Sequence, residues 1–484
     1  MTGLGTGHVA GLVATLLLIL AVTVASTRRV KSAVGYSLMG RSSGVMLIAG
    51  SIAGTCIGGA ATVGSAQMAY SIGLSAWWFT LGMGLGLLIL ALFYALPLRN
   101  SGLETVPQYM SLHYGRIAGP LASITSSIGI LFSAVASALS GIALIGLIFG
   151  IPPWAAATVL TLLVAVLVST GGLKGAGVSG LLKMAVIWVT LLVAGIDACL
   201  TLGAMPEFDT VFPAFPWFSM VGRGWADCLG NAISLIVGVI CTQTYIQAVY
   251  SATDARTAAV GALVAALVTI PVGLPSVAIG MAMHATHPEI QPILALPMYM
   301  IAHMPPWLGG VGLAGILLSV IGSIAGLSLG IGTMVANDIG RGLLKITDDR
   351  RILRINRVTV LVVTLAAMEI SLANPTTYVL DWNYMSMALR GAGMFVPMSL
   401  AIFWPRRLAP SWAVLSMAGS VTAAIVGRFA LGFAIQPLFS GLAVSLLIVA
   451  FGVLVPFLRH RPGVAGDPSN RPAHGPLGRS GRAA

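Results

Sequence analysis

Thirteen stretches of 17 to 32 residues run through this sequence with scarcely a charged side chain, and no other feature limits the fold as strongly. They lie at about 8–26, 44–72, 75–98, 118–149, 153–170, 179–204, 225–249, 257–283, 308–335, 357–373, 377–404, 411–430 and 437–458. A helix of roughly 20 apolar residues crosses the ~30 Å hydrocarbon core of a bilayer. Strands of a membrane barrel would be shorter and would alternate apolar with polar positions, and these runs do not. Only 8% of the 484 residues are charged and 57% are hydrophobic, against roughly 25% charged in soluble domains. So few polar groups cannot cover a soluble surface, which excludes a soluble enzyme, a disordered scaffold and a secreted disulfide module. Cys56, Cys199, Cys228 and Cys241 sit in or beside apolar runs without metal-ligand spacing and read as packing residues. The class is an all-α polytopic membrane protein.

Charge sets the expected topology. No lysine or arginine precedes the first run, whereas Arg28, Arg29 and Lys31 follow it, so it reads as a span with its N-terminus outside rather than a cleaved signal peptide. Thirteen alternating spans then place the C-terminus in the cytoplasm of a cell-membrane protein. On that topology 22 of the 25 Lys and Arg residues, Lys183 among them, face the cytoplasm. Arg223 and Arg428 face outside, and Arg390 lies within a span. The net charge of +12 is therefore a topology signal and implies no nucleic-acid partner. Residues 338–357 read as a solvated loop against anionic lipid headgroups. The tail 459–484, rich in Gly, Pro, Arg and Ser, reads as disordered.

Enzyme motifs are missing. No P-loop occurs, and Gly310–Gly315 matches GxGxxG inside an apolar helix with no strand before it. His284, His287, Glu289 and His303 share one outer loop and read as interfacial polar residues rather than a metal site. Ionisable residues inside spans are costly and usually face a cavity or a partner. Asp227 and Asp381 lie near span ends. Glu369 and Arg390 fall on neighbouring antiparallel spans and could pair. Asp197 is either a proton-linked group or a hydrogen-bonded helix residue.

Within the second span the stretch Ala49 to Gly64 carries five glycines and no large side chain between Ile52 and Ile57. Glycine weakens a helix interior, and an unwound stretch there would free carbonyls to bind a cation at mid-membrane; close helix packing is the other use of small residues. In the ninth span Ser319, Gly322, Ser323 and Gly326 recur at helical spacing and form one small, polar face.

Several motifs resemble the sodium/solute symporter family: Gly35-Tyr36-Ser37-Leu38-Met39-Gly40-Arg41-Ser42, the run Ala69 to Trp78, Thr105-Val106-Pro107 with His113-Tyr114-Gly115-Arg116, Gly171-Gly172-Leu173-Lys174-Gly175, Gln243-Thr244-Tyr245-Ile246-Gln247 with Ser251 to Arg256, and Asn337-Asp338-Ile339. Their order covers roughly residues 35–410. The resemblance implies a leucine-transporter-type fold with a 5+5 inverted repeat, about 44–204 and 225–404. A single extra helix stands before it (1–43) and two after it (405–458). It places a sodium site on Gly54, Ile57, Ser319, Gly322 and Ser323. Thr62, Gln67, Gln243 and Tyr384, polar residues expected to face the cavity, are substrate-contact candidates, each equally suited to bridging helices. Three positions depart from the family pattern: Gly322 where a Ser or Thr is common, Gly180 where many members carry an Asp, and Gly238 where sugar carriers place a gating aromatic. The expectation is a cation (sodium):small organic solute symporter, the solute an amino acid or organic acid, with no cofactor. A proton-coupled or uncoupled carrier and a solute-binding sensor are the alternatives.

Overall fold

The computed structural model describes residues 4–27, 41–432 and 435–459. The basic cluster Arg28, Arg29 and Lys31, motif residues 35–40 and the tail beyond Arg459 lie outside the described residues. Among the described residues the chain is helical, with no strand beyond an isolated parallel bridge between Ser43 and Ala252. Ten helices there are long and apolar enough to cross a membrane, and four shorter apolar helices accompany them.

The elements used below are α1 (Thr6–Thr27), α2 (Val45–Cys56), α3 (Ser65–Ile72), α4 (Trp78–Ile89), α5 (Val106–Tyr114), α6 (Ala118–Phe149), α7 (Pro153–Gly203) and α8 (Trp225–Ile240). They continue with α9 (Gln243–Tyr250), α10 (Ala255–Thr269), α11 (Gly273–Thr286), α12 (Pro306–Met334), α13 (Asp349–Ala373), α14 (Val379–Phe403), α15 (Pro410–Ile425) and α16 (Pro437–Arg459). Helix α12 is the hub. It is buried along almost its whole length and packs against α1, α6, α7 and α13.

Two of the helix interruptions among the described residues bear on the site, and both face the interior. Helix α2 stops at Cys56, Ile57 leaves the helical region at φ −87° and ψ 75°, and the chain resumes through a wide turn, Ala60–Gly64, before α3. Helix α8 stops at Ile240, Thr242 is extended at φ −84° and ψ 114°, and α9 begins at Gln243. A break in hydrocarbon strands carbonyls that must find donors. Here hydroxyls supply them: Thr62 donates to Gly58 O at 3.0 Å, and Thr242 to Gly238 O at 2.7 Å.

The expected spans 153–170 and 179–204 form one helical element, α7. Leu160 nevertheless packs with Val320 against Gly141, while Lys183 reaches Ser319. Both ends of that 23-residue interval therefore lie level with the same turn of α12, where a straight helix would separate them by about 35 Å. The element doubles back as two spans.

Four expectations need correction. Arg390, fully buried, does not pair with Glu369, whose side chain is exposed. Its guanidinium donates to Thr242 Oγ1 at 2.7 Å and to the Ser133 and Ser386 hydroxyls, because α14 turns it toward the second break. Asp338 does not open a solvated loop. It is buried, accepting from Thr105 at 2.8 Å and Ser123 at 2.9 Å, so the exposed stretch starts after it. Cys199 is exposed rather than packed, since the buried face of α7 carries Ala194, Ala198 and Leu202 instead. Lys183 is no cytoplasmic loop residue. It is 1% exposed, inside the bundle.

Asp197 is accounted for by a hydrogen bond: Tyr299 Oη donates to its carboxylate at 2.6 Å. The outer histidines pack on rings, His284 on Trp217 and His303 on Tyr299. Among the described residues no three His, Cys, Asp or Glu side chains gather as metal ligands.

Candidate functional site

The first break and the polar face of α12 meet. Ser319 donates its hydroxyl to Ile57 O, and Ser323 donates to Thr55 O at 2.8 Å. Gly54 and Gly322 flank the same contact. The five expected ion-site residues thus come together, with both serine hydroxyls already engaged by backbone carbonyls of the break.

A sixth residue, unforeseen, stands among them. Lys183 Nζ donates to Ser319 O at 3.2 Å. A Cβ on Gly322 would lie 2.8 Å from Nζ, and one on Gly54 would lie 3.5 Å from Lys183 Cε. No ion pair among the described residues includes Lys183. The approach of α7 depends on glycine. A Cβ on Gly180 would sit 2.2 Å from Gly50 O, and one on Gly54 would sit 2.7 Å from Gly180 Cα. Residues 180 and 183 share a helix face, so the close backbone contact delivers the lysine one turn later. Its position inside the apolar run 179–204 was a signal available in the sequence.

Two of the four substrate-contact candidates, Gln67 and Gln243, bridge helices, and a third, Thr62, bonds within its own segment. Thr62 returns to Gly58 O at 3.0 Å. Gln67 accepts from Val379 N at 2.9 Å and donates to Thr377 O at 3.4 Å. Gln243 accepts from Val106 N at 2.8 Å and donates to Glu104 O at 3.4 Å. Tyr384 is buried, with its ring edge-on to Phe79 at 6.0 Å. It forms part of a vestibule with Arg223, Asp227, Asp381 and Gln436. Gly238 faces no gate, because a Cβ there would lie 2.5 Å from Met387 O where α8 packs on α14.

Between the two breaks lies a small cavity lined by Cys56, Phe79, Met83, Tyr245, Ser323 and Asn383, among others, with room for about one water. Asn383 Oδ1 accepts from Ser133 at 2.9 Å, while its Nδ2 has no hydrogen-bond partner among the described residues. An unpaired buried amide donor is costly. Sequence reasoning missed this chamber because its lining comes from α2, α4, α6, α9, α12 and α14, which no local motif links.

Comparison with known proteins places this arrangement. The sequence profile described as Sodium:solute symporter family matches residues 36–419. The chain belongs to that family. Its relatives include High affinity choline transporter 1 of Homo sapiens, 25% identical over 406 residues, covering 77% of this chain and 69% of that protein. The Mus musculus protein of that name is 26% identical over 364 residues, covering 70% of this chain and 62% of its own length. The chain thus spans under two thirds of some of these relatives. A substrate-bound, outward-open Na+-coupled sialic acid symporter superposes with a TM-score of 0.79 at 19% identity, over 94% of this chain and 98% of that one. A nucleobase-cation-symport-1 family transporter in a closed conformation gives 0.57 at 11%, over 90% and 97%. These likenesses show a leucine-transporter-type fold in an integral membrane protein. The relatives are transporters, and this member of the symporter family is not an enzyme. The solute in the relatives' names is choline, which turns the reading away from the amino acid or organic acid expected from sequence.

Proposed function

We propose that this chain is a secondary transporter that moves a small quaternary ammonium solute of choline's class by alternating access, as a multi-pass protein of the cell membrane with its N-terminus outside and its C-terminus in the cytoplasm. The transporting unit is the ten-helix core at about 44–404, with repeats at about 44–204 and 225–404 and the remaining helices peripheral. One observation carries the reading: the chamber between the two broken helices, which holds about one water as it stands and must widen to admit a solute, is lined by aromatic rings and holds an unsatisfied amide donor. Phe79 and Tyr245 are 1% and 2% exposed. Aromatic faces attract a quaternary ammonium, which offers no N–H for hydrogen bonding. Asn383 Nδ2 suits the hydroxyl oxygen such a solute carries. The cation that the family couples to transport would belong on Gly54, Ile57, Ser319, Gly322 and Ser323. A positive charge there ties α2 to α12, and by linkage it raises solute affinity if it favours the solute-binding state.

Uptake into proteoliposomes tests this, with radiolabelled choline against a panel of amino acids, organic acids and sugars. Choline or a close analogue is taken up, and Phe79→Ala and Tyr245→Ala each raise the half-saturating concentration by roughly 3- to 30-fold, the span of one desolvated cation–π contact. Uptake of only anionic or neutral solutes would sink the choline-class reading, and no uptake of any solute would sink transport itself.

A further inference from the structure

We propose that the Lys183 ammonium is the resident cation of the site between α2 and α12, standing where the family places a sodium ion, so that this site works without sodium. The inference rests on the transporter reading for its meaning but not for its test.

Lys183 Nζ lies 3.2 Å from Ser319 O, one of the carbonyls expected to hold the ion. The lysine is only 1% exposed, and no carboxylate among the described residues pairs with it. A buried cation needs compensation; here it comes from backbone carbonyl oxygen, the same ligand type a sodium ion would use. The two departures from the family pattern then have one cause. At Gly322 a Cβ would lie 2.8 Å from Nζ, so a Ser or Thr at that position would crowd the ammonium. At Gly180 a Cβ would lie 2.2 Å from Gly50 O, so any side chain would push α7 away and withdraw the lysine. Glycine at both positions makes room for the amine and lets its helix approach. A sodium ion and this ammonium are not compatible in one neutral cage. Two unit charges about 4 Å apart repel strongly enough to weaken sodium binding on the order of several hundred-fold at an effective dielectric of 20. In the family's scheme the ion can leave, and α2 and α12 can then part. In this chain the charge is tethered to α7 and stays with that helix when the site opens.

The test compares the full-length wild type with Lys183→Ala, which vacates the site, in two measurements. The first is the thermal unfolding midpoint in detergent as sodium replaces N-methyl-D-glucamine at constant ionic strength. The second is choline uptake into proteoliposomes under the same exchange. Sodium should stabilise Lys183→Ala and leave the wild type unchanged. It should also raise uptake by Lys183→Ala at least ten-fold, against less than two-fold for the wild type. If Lys183→Ala does not purify as a monodisperse protein, Lys183→Gln keeps most of the stem volume without the charge and should show the same gain. An equal sodium response in wild type and variant overturns the proposal. Stabilisation of the variant alone, with no uptake of any solute by either protein, leaves Lys183 as the resident cation and removes the transport reading.

Discussion

Ser43 and Ser251, 208 residues apart, are joined hydroxyl to hydroxyl at 3.0 Å, and the Ser43 N–H also donates to Ser251 O at 3.1 Å. Thr253 N–H returns a bond to Ser43 O at 3.2 Å. This latch ties the start of α2 to the end of α9, so these segments of the two broken helices are held together at the end away from the breaks. Arg99 closes over it, donating to Ala252 O at 2.8 Å and Thr253 O at 3.1 Å. On the opposite face the Arg223–Asp381 pair, at 2.9 Å and partly exposed, borders the vestibule. Exposed pairs of this kind contribute little to stability. The chain is therefore sealed more firmly on the Ser43 side.

Arg99→Ala should loosen that seal. Spin labels at Gly44 and Arg256 should show a longer, broader distance distribution by double electron–electron resonance than in wild type. Asp381→Asn, on the other face, should leave this distance unchanged. An unaltered distribution in Arg99→Ala means that the serine bonds suffice alone.

Gly180→Ala should separate α2 from α7 while preserving helix propensity. Overfilling a packed contact typically costs about 1–3 kcal/mol, which should appear as a lower unfolding midpoint in detergent. Gly203→Ala, in open space on the same helix, is the control and should have little effect.

Arg390→Lys should be more damaging than its conserved charge suggests. An ammonium cannot reproduce a guanidinium fork that reaches Thr242, Ser133 and Ser386 together. Losing one or two hydrogen bonds to a buried charge should cost roughly 2–4 kcal/mol. Glu369→Gln should change stability by no more than about 0.5 kcal/mol, the usual limit for a surface change.

Asp254 caps α10, accepting from the Thr257 N–H at 2.9 Å and from the hydroxyls of Thr257 and Thr253. The Thr257 hydroxyl, with the other bonds, pulls the carboxyl from 3.8 down to about 2. A depressed folded-state value means that the cap's contribution is complete above pH 3.8 and disappears as the pH falls through about 2. Thermal midpoints of wild type and Asp254→Ala should therefore differ at pH 7 and converge toward pH 2. A constant gap would show that charge on the cap is immaterial.

In a cysteine-free background, a reporter cysteine at Thr210 should label from outside intact cells, and one at Asp348 only after permeabilisation. Both positions are exposed. Outside labelling at Asp348 would reverse the orientation inferred from the basic residues.

Several features were legible without coordinates. Apolar run length dictates helices, since a backbone in hydrocarbon must satisfy its own hydrogen bonds. The glycine cluster from Gly50 to Gly64 marked the first break, and Ser319, Gly322 and Ser323 marked the face that meets it, because both signals are local and periodic. Lys183 was misplaced because the distribution of basic residues assigns a side to a whole segment. It carries no information about which way one side chain on a helix points. Gln67 and Gln243 looked like solute contacts because a buried amide serves a substrate or a neighbouring backbone equally well, and only the positions of Val379 and Val106 show which.

By itself the sequence determined the solvent this chain lives in, its helices, the break in α2 and the family it belongs to. These follow from the free energy of burying side chains and backbone, which is summed along the chain. The tertiary structure decided which distant groups share a site. Lys183 and Ser319 are 136 residues apart, and they meet because Gly180 lets two backbones touch. Arg390 finds hydroxyls rather than Glu369, and Asn383 brings an unpaired amide donor to the chamber that Phe79 and Tyr245 also line. Such contacts depend on helix rotation and interaxial distance to within an ångström or two, which local spacing does not encode.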